Sequence, residues 1–383
     1  MSRTSLFAVG FFALQACSSS DPAPGPGAAD PRTPLPSSFS QDLEATLDGV
    51  VAAGVAPGVS LTVAHPSYRT WSGASGVANL ETGAALSPAW RFRAGSMLKV
   101  AVATAVLELV EQNELSLDAN LTELLPPAIT GRIPDARAIT LRMLLDHTSG
   151  IPEFSTPEFH LDVASDPAHI WSFDELLDRA LAQPPVLAPG TGFSYSNTGY
   201  LLLGAILERA TGEPWRTTLR ERVFARANLQ HSSLPEEGNP RCDGCSRGYE
   251  PAGDELRDLT EVDPSMAGPA GGDALITTPE DLATFLGALF AGRMFDAAST
   301  LDLMLAFNDA KVPEEAQTGY GLGIARFQAG EIELYGHLGG TAGFQGFVVF
   351  QPATGVVTSG YMNRTGDFGA FIVPVLDAVA RIR

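Results

Sequence analysis

The sequence predicts an α/β fold of the α+β type, in which one antiparallel sheet is built from strands at both ends of the chain. Segments with the period and composition of strands occur near both termini, whereas helix-like segments fill the middle. The 383 residues, 45% hydrophobic and 18% charged, are enough for one large domain or two. We therefore expect a sheet flanked by helices, with a mostly helical domain inserted between its N-terminal and C-terminal strands.

The N-terminal half supplies two short strands and several helices. An amphipathic stretch over 41–53 predicts a helix, and residues 59–64 and 70–76 predict strands. Residues 96–112 are apolar on almost every face, which is typical of a buried central helix. Further helices are predicted over the ranges 140–147, 173–183 and 200–211, the last closed by Gly212.

The C-terminal half returns to strands. Residues 235–264 are polar and rich in turns, which predicts a surface loop. Thr278 and Pro279 are typical of a helix start, and the helix runs to Phe290. Strands are predicted over 321–327, 331–335, 344–350 and 356–362, followed by a final helix over 368–383. The first strands are expected to pair with the last ones.

The first residues resemble a bacterial lipoprotein signal. Arg3 precedes an apolar run over 6–14, and Leu14-Gln15-Ala16-Cys17 resembles a lipobox in which Cys17 is lipidated. Residues 18–38 are rich in Pro, Ser, Ala and Gly, which predicts a disordered tether. We expect a cell-envelope protein anchored by lipid; a plain secretory signal and a secreted protein are the alternative. No later segment has the 18 uncharged apolar residues that would predict a transmembrane helix.

The predicted folded domain covers residues 39–383. Its α/β part spans about 39–100 and 270–383, and its helical part about 101–269. The formal charge of −20 argues against a nucleic acid as partner, because phosphate binding needs clustered Lys and Arg. Cys242 and Cys245 are expected to form a local disulfide in the surface loop, with redox or metal roles as alternatives.

Ser96 and Lys99 are the first candidates for catalysis. Residues i and i+3 of a helix share a face, so the Lys99 amine can reach the Ser96 hydroxyl. A desolvated lysine can lose its proton and activate a serine, which arginine cannot do. Lys99 is also one of two lysines in the chain, beside 22 arginines. The plain alternative is an N-cap serine followed by a surface lysine.

Two further segments carry polar side chains among glycines. Tyr195 and Asn197 lie two residues apart in a glycine-rich loop that leads into a helix, so in an extended loop both point the same way. His337-Leu338-Gly339-Gly340 lies between two predicted strands, where glycine N–H groups can stabilise an oxyanion. A turn with a buried tyrosine and a tight hairpin with a surface histidine are the plain alternatives.

Together the three segments resemble the serine β-lactamase and penicillin-binding-protein superfamily. That family orders its motifs as S-x-x-K, Y-x-N and K-T-G or H-x-G, and Ser96–Lys99, Tyr195–Asn197 and His337–Gly339 follow this order. The resemblance covers about residues 40–380. The flanking segments 144–152 and 319–323 look like the class C branch, which includes D-alanyl-D-alanine carboxypeptidases, esterases and D-amino-acid peptidases.

The resemblance implies a role for each matching residue. Ser96 would be the acylated nucleophile, Lys99 would take its proton, and Tyr195 would pass the proton to the leaving group. Asn197, His337, Gly339 and Gly340 would bind substrate or orient the site, with the N–H groups of Ser96 and Gly340 as oxyanion hole. His-Leu-Gly in place of Lys-Thr-Gly favours a peptidase or esterase over a true β-lactamase. A penicillin-binding sensor that is acylated without turnover is a further alternative.

The remaining candidate residues have weaker support for a role in catalysis or metal binding. Gly244–Gly248 fits G-x-S-x-G around Ser246, but the strand and helix that a nucleophile elbow needs are not predicted there. His147 is expected to belong to a structural turn after a helix. The histidines show no metal-ligand spacing, so we predict no metal and no cofactor. The expected partner is a small-molecule or peptide substrate of a monomeric enzyme, with membrane contact only through the lipid.

Lipidation is testable directly. Metabolic labelling with palmitate should mark the protein, and Cys17→Ser should abolish the label and release the protein from membranes. Cys242→Ser serves as the matched control and should keep the lipid. A mature protein that is released without lipid would contradict the anchor.

Overall fold

The computed structural model describes residue 30 and residues 32–382, apart from 241, 271–273 and 313–315. The predicted signal peptide (1–17), Cys17 and residues 18–29 of the predicted tether lie outside the described residues. The strands are β1 (Gly58–Ala64), β2 (Trp71–Asn79), β3 (Ala84–Ala85), β4 (Phe92–Arg93), β5 (Tyr249–Ala252), β6 (Glu255–Asp258), β7 (Ile276–Thr277), β8 (Gln317–Tyr320), β9 (Ala325–Ala329), β10 (Ile332–Thr341), β11 (Phe344–Gln351) and β12 (Val356–Met362).

The helices precede, interrupt and follow these strands. They are α1 (Ser37–Ala52), α2 (Leu98–Glu111), α3 (Leu121–Leu124), α4 (Pro127–Thr130), α5 (Leu141–Leu145), α6 (Pro157–Ser165), α7 (Phe173–Leu181), α8 (Asn197–Thr211), α9 (Trp215–Leu219), α10 (Ala225–Ala227), α11 (Pro279–Phe290), α12 (Ala298–Met304) and α13 (Gly369–Val379). Within the described ranges, no helix is both long and apolar enough to cross a membrane.

An eight-stranded antiparallel sheet, in the order β3-β2-β1-β12-β11-β10-β9-β8, forms the centre of the fold. β1 pairs with β12 from Val59–Met362 to Ala64–Val357, so the first strands join the last ones. The predicted α+β class with strands from both termini is confirmed. Closing the sheet across nearly 300 residues brings the C-terminal strands beside the segment that follows β4.

The two faces of the sheet bury different helices. Val349 and Met362 lie in one hydrophobic cluster with residues of α1 and α13, whereas the alternate residues Val348 and Tyr361 lie in the other cluster. The second cluster is built around α2, in which every residue from 98 to 109 is buried. α2 is thus the buried central helix that its all-round apolar sequence predicts. Gly212 ends α8 with φ 73°, as expected for a left-handed cap.

Some boundaries differ from the sequence-based expectation. Residues 32–38, predicted as part of the tether, contact the domain, since Arg69 N–H donates to Thr33 O at 2.8 Å and Leu35 is buried. The strand predicted over 321–327 begins only at residue 325, as β9, and residues 321–324 connect it to β8. Gly323 turns the chain between them with φ 81°, a conformation that favours glycine. The predicted surface loop 235–264 contains the hairpin β5–β6.

The glycine-rich segment at His337–Gly340 is the most informative difference. We expected it between two strands, but β10 continues through it to Thr341 and pairs with β11, with Gly339 opposite Gly346. A Cβ on Gly339 would lie 2.2 Å from the Ala94 carbonyl oxygen. Glycine therefore lets β10 lie directly against the chain that leads into α2.

Gly339→Ala should lower the free energy of unfolding, by about 1–3 kcal/mol, because the added methyl group must displace the Ala94 backbone. Urea denaturation measures this change. Gly49→Ala is the control, since a Cβ there meets nothing within 4 Å and α1 should gain about 0.5–1 kcal/mol. Equal midpoints for Gly339→Ala and wild type would contradict the close packing.

Candidate active site

Ser96 lies on a tight turn between β4 and α2. Residues Gly95–Met97 form a single 3₁₀ turn, and Ala94 N–H donates to Leu275 O at 2.9 Å. Gly95 has φ 60°, and a Cβ on it would lie 2.7 Å from Gly340 O and 2.9 Å from Gly340 N. The turn therefore presents Ser96 at the N-terminal end of the central helix, beside the backbone of β10.

Lys99 is fully buried one turn along the same helix. Its Nζ lies 3.1 Å from Ser96 Oγ and donates to Asn197 Oδ1 at 2.6 Å. Burial lowers the pKa of Lys99 to about 7, because the charged amine loses its hydration, and the negative charge of Glu153 partly opposes this effect. At neutral pH a substantial fraction of Lys99 is therefore an uncharged amine within reach of the serine hydroxyl.

Tyr195 and Asn197 close the site from the other side. Lys99 Nζ lies 5.0 Å from the centroid of the Tyr195 ring. Asn197 is the first residue of α8 rather than part of an extended loop, and Ser196 caps the helix by accepting a hydrogen bond from Gly199 N–H. The side chains of residues 195 and 197 converge on Lys99 because a helix starts between them.

The chain after α5 supports this segment. Asn197 N–H donates to the Glu153 carboxylate at 2.5 Å, and Phe154 N–H donates to Thr198 Oγ1 at 3.1 Å. Glu153 is half-buried, and its other oxygen accepts from Ser155 N–H. The sequence analysis did not single out Glu153, because no local pattern links a carboxylate at 153 to a helix that begins at 197.

His337 is buried on β10 and hydrogen-bonded away from the serine. Its Nδ1 faces the Leu338 carbonyl oxygen, and its Nε2 lies 2.9 Å from the Tyr320 hydroxyl. A carbonyl only accepts, so Nδ1 carries the proton and Nε2 accepts from Tyr320. Burial, followed by the positive charge of Lys99, lowers the pKa of His337 to about 3, so the imidazole is neutral.

The role expected of His337, to orient Tyr195 or the substrate, stays a prediction. Leu338 and Tyr320 engage its two nitrogens. Its ring centroid is 6.3 Å from that of Tyr195, and the Tyr320 ring lies edge-on to Tyr195 at 6.4 Å. Burial raises the pKa of Tyr320 well above its usual value, so this phenol stays a donor. Tyr320 was missed as a site residue, since its place beside Tyr195 depends on the sheet order.

Among the glycines of β10, Gly340 is the one with room around it. A Cβ there would meet nothing within 4 Å, in contrast to Gly339. Its nitrogen is close to Gly95, the residue before Ser96. The oxyanion hole formed by the N–H groups of Ser96 and Gly340 remains a prediction with which this proximity agrees.

The remaining candidates lie outside this arrangement. Cys242 and Cys245 form a disulfide, and Arg91 N–H donates to Gly244 O in the same loop. Ser246 is buried, with its Oγ 3.3 Å from the Tyr361 hydroxyl and no helix directly after it. His147 follows α5 in a turn, as expected, and its ring faces Tyr195. Across the described ranges, no group of three or more His, Cys, Asp or Glu is placed to hold a metal.

Comparisons with known proteins agree with this geometry. The Beta-lactamase family model matches residues 43–380. Penicillin-binding protein 4 of Amycolatopsis lactamdurans is 32% identical over 297 residues, which cover 75% of each chain. Esterase EstB of Burkholderia gladioli is 34% identical over 194 residues, or 47% of this chain and 49% of that protein.

A solved structure extends the likeness to the whole fold. The D-amino acid amidase from Ochrobactrum anthropi SV3, in complex with D-phenylalanine, superposes with a TM-score of 0.80 at 30% identity. The match covers 91% of this chain and 100% of that one. This chain therefore belongs to the Beta-lactamase family, within the superfamily of serine β-lactamases and penicillin-binding proteins, and is a serine hydrolase.

Proposed function

We propose that the protein is an extracytoplasmic hydrolase of D-amino-acid amides and related peptides that works through an acyl-enzyme on Ser96. The observation that carries this proposal is the buried amine of Lys99, 3.1 Å from the Ser96 hydroxyl, with a pKa of about 7. A general base is most effective when its pKa is near the working pH. The flanking segments 144–152 and 319–323 support membership of the class C branch.

The proposed acylation uses four groups. Neutral Lys99 takes the proton from Ser96 Oγ, which attacks the substrate carbonyl carbon. The N–H groups of Ser96 and Gly340 hold the resulting oxyanion. Tyr195 then passes its proton to the leaving nitrogen and receives the serine proton from Lys99, so that the C–N bond breaks, the acyl group remains on Ser96 and Lys99 is neutral again. Water attacks this ester with the same base, which releases the acid and restores the serine.

The charges around the serine favour a substrate with a free ammonium group. Glu153 presents a half-buried carboxylate next to Asn197, close enough to Lys99 to influence its pKa. A substrate carboxylate would need a cation, and His337 offers none because it is neutral and engaged by Tyr320 and Leu338. An amino-acid amide fits this pattern better than the C-terminal carboxylate of a carboxypeptidase substrate. The amidase among the related structures supports the same class.

Ester hydrolysis is the second candidate. EstB is named as an esterase, and an ester with a good leaving group needs less proton transfer than an amide. A D-alanyl-D-alanine carboxypeptidase, a β-lactamase and a penicillin-binding sensor remain the other possibilities within the family. For location, the lipobox-like Cys17 and its spacer support a lipid-anchored envelope protein.

Labelling with a fluorophosphonate should identify the nucleophile. Ser96→Ala should abolish the adduct, because the reagent needs an activated serine oxygen. Ser246→Ala is the matched control and should keep full labelling, since Ser246 is buried away from Lys99. In-gel fluorescence and mass spectrometry of the labelled peptide measure both, and labelling at Ser246 would contradict the assignment.

The pH profile should report the Lys99 amine. A base acts when unprotonated, so kcat/KM should rise with pH and reach half its plateau near pH 7. The kcat/KM of Lys99→Arg should be at least about 100-fold lower than that of wild type, because the guanidinium stays protonated. Lys311→Arg changes the other lysine, which is exposed, and should match wild type. Near-normal activity of Lys99→Arg would show that another group takes the proton.

A substrate panel separates the candidates. Purified full-length protein is given D- and L-phenylalanine amide, their N-acetyl derivatives, a D-Ala-D-Ala peptide, a nitrophenyl ester and a chromogenic cephalosporin. We expect the highest amide kcat/KM for the free D-amide. Glu153→Gln should reduce that value about tenfold or more, as for loss of one charge-assisted hydrogen bond, and should affect the N-acetyl amide clearly less.

Glu158→Gln, an exposed change on α6, is the control for Glu153→Gln. Faster turnover of the D-Ala-D-Ala peptide or the cephalosporin than of the free amide would contradict the substrate class. A lasting cephalosporin adduct without turnover of any substrate would identify a sensor instead.

A further inference from the structure

His147 lies beneath the ring of Tyr195. The two ring centroids are 4.2 Å apart, with a tilt of 35° between the planes. The imidazole is 1% exposed, so substrate is not expected to reach it. Any effect of His147 on the reaction must therefore act through its neighbours.

Two hydrogen bonds from the tyrosine segment end on this one residue. Ser194 N–H donates to the His147 carbonyl oxygen at 2.8 Å, and Ser196 N–H donates to His147 Nδ1 at 3.1 Å. They hold the residue before Tyr195 and the residue after it. Together with the ring contact, they fix the backbone and one face of the tyrosine.

His147 makes these contacts from an unfavourable position. Its φ of 59° is in the left-handed region, which costs on the order of 1–3 kcal/mol for residues other than glycine. Since Nδ1 accepts, the proton is on Nε2, and this buried nitrogen has no hydrogen-bond partner in the described part of the chain. The strained backbone and the unpartnered N–H both cost free energy. Their presence at one residue indicates that the hydrogen bonds from Ser194 and Ser196 stabilise this conformation over a relaxed turn.

We propose that His147 is a positioning residue that aims the Tyr195 hydroxyl at the leaving group by holding Ser194 and Ser196. This inference rests on the proposed function, in which Tyr195 supplies the leaving-group proton. Its consequence is selective. An amine cannot leave without a proton, whereas nitrophenolate can, so misplacing Tyr195 should harm amide cleavage more than nitrophenyl ester cleavage.

Two substitutions separate the hydrogen bond from the ring. His147→Asn tolerates positive φ and places Oδ1 where Nδ1 was, so it keeps an acceptor for Ser196 N–H. His147→Gly also tolerates positive φ but has no acceptor. Both lose the imidazole, and the full-length protein is used throughout. Rates are divided by the fraction that a fluorophosphonate labels to completion, which removes differences in folded enzyme.

The readout is the ratio of kcat/KM for an amide to that for a nitrophenyl ester of the same acyl group. We expect His147→Gly to lower this ratio about tenfold or more and His147→Asn to keep it within about threefold. In a Tyr195→Phe background, the added effect of His147→Gly on the ratio should disappear, because both changes remove the same proton transfer.

Equal losses on amide and ester, or an undiminished effect of His147→Gly in the Tyr195→Phe background, would overturn the positioning role. If Tyr195→Phe itself leaves the ratio unchanged, the proton-transfer role of Tyr195 fails, and the proposal for His147 fails with it for that separate reason. Should the glycine variant not fold, His147→Asn decides alone: a ratio within threefold of wild type supports the proposal, and a tenfold fall overturns it.

Discussion

The burial of the Lys99 amine beside Ser96 is the constraint on which the rest of the site depends. A buried ammonium is costly unless it is hydrogen-bonded, and its pKa falls when it loses water. Asn197 Oδ1 at 2.6 Å and the faces of Tyr195 and Tyr200 at about 5 Å from the amine reduce this cost. These partners keep the amine in place, while its burial lowers the pKa to about 7, so it remains able to lose its proton.

The sheet contributes to the burial of Lys99 as well. Lys99 is buried only because α2 is covered on every face, and β10 provides part of that cover by lying against Ala94 and Gly95. A side chain at Gly339 would clash with the Ala94 backbone and push β10 away from it. A side chain at Gly95 would clash with the Gly340 backbone. Close backbone packing therefore does two things at once: it shields the turn that carries Ser96 and brings Gly340 N–H to the same turn.

The sequence predicted what depends on local pattern and missed what depends on distant contacts. The all-apolar run at 98–109 and the strand at Val356–Met362 are visible in residue periodicity, and Ser96, Lys99, Tyr195 and Asn197 are visible as spaced pairs. The extension of β10 through His337 was missed because the glycines at 339 and 340 were interpreted as a turn, whereas here they allow close backbone packing. Glu153 and Tyr320 were missed as site residues because their positions in the site follow from α8 and from the sheet order, which no local pattern shows.

The histidine at 337 affects the charge balance of the site as well as its shape. Relatives with Lys-Thr-Gly would place a second ammonium group here, and a like charge near Lys99 would lower the pKa of that amine further. Neutral His337 adds no such charge, so the pKa of Lys99 stays near 7, where a base is effective at neutral pH. The same difference removes a cation that could bind a substrate carboxylate, while the negative charge of Glu153 acts on the pKa of Lys99. The residue at position 337 therefore bears on both the proposed base and the proposed substrate class.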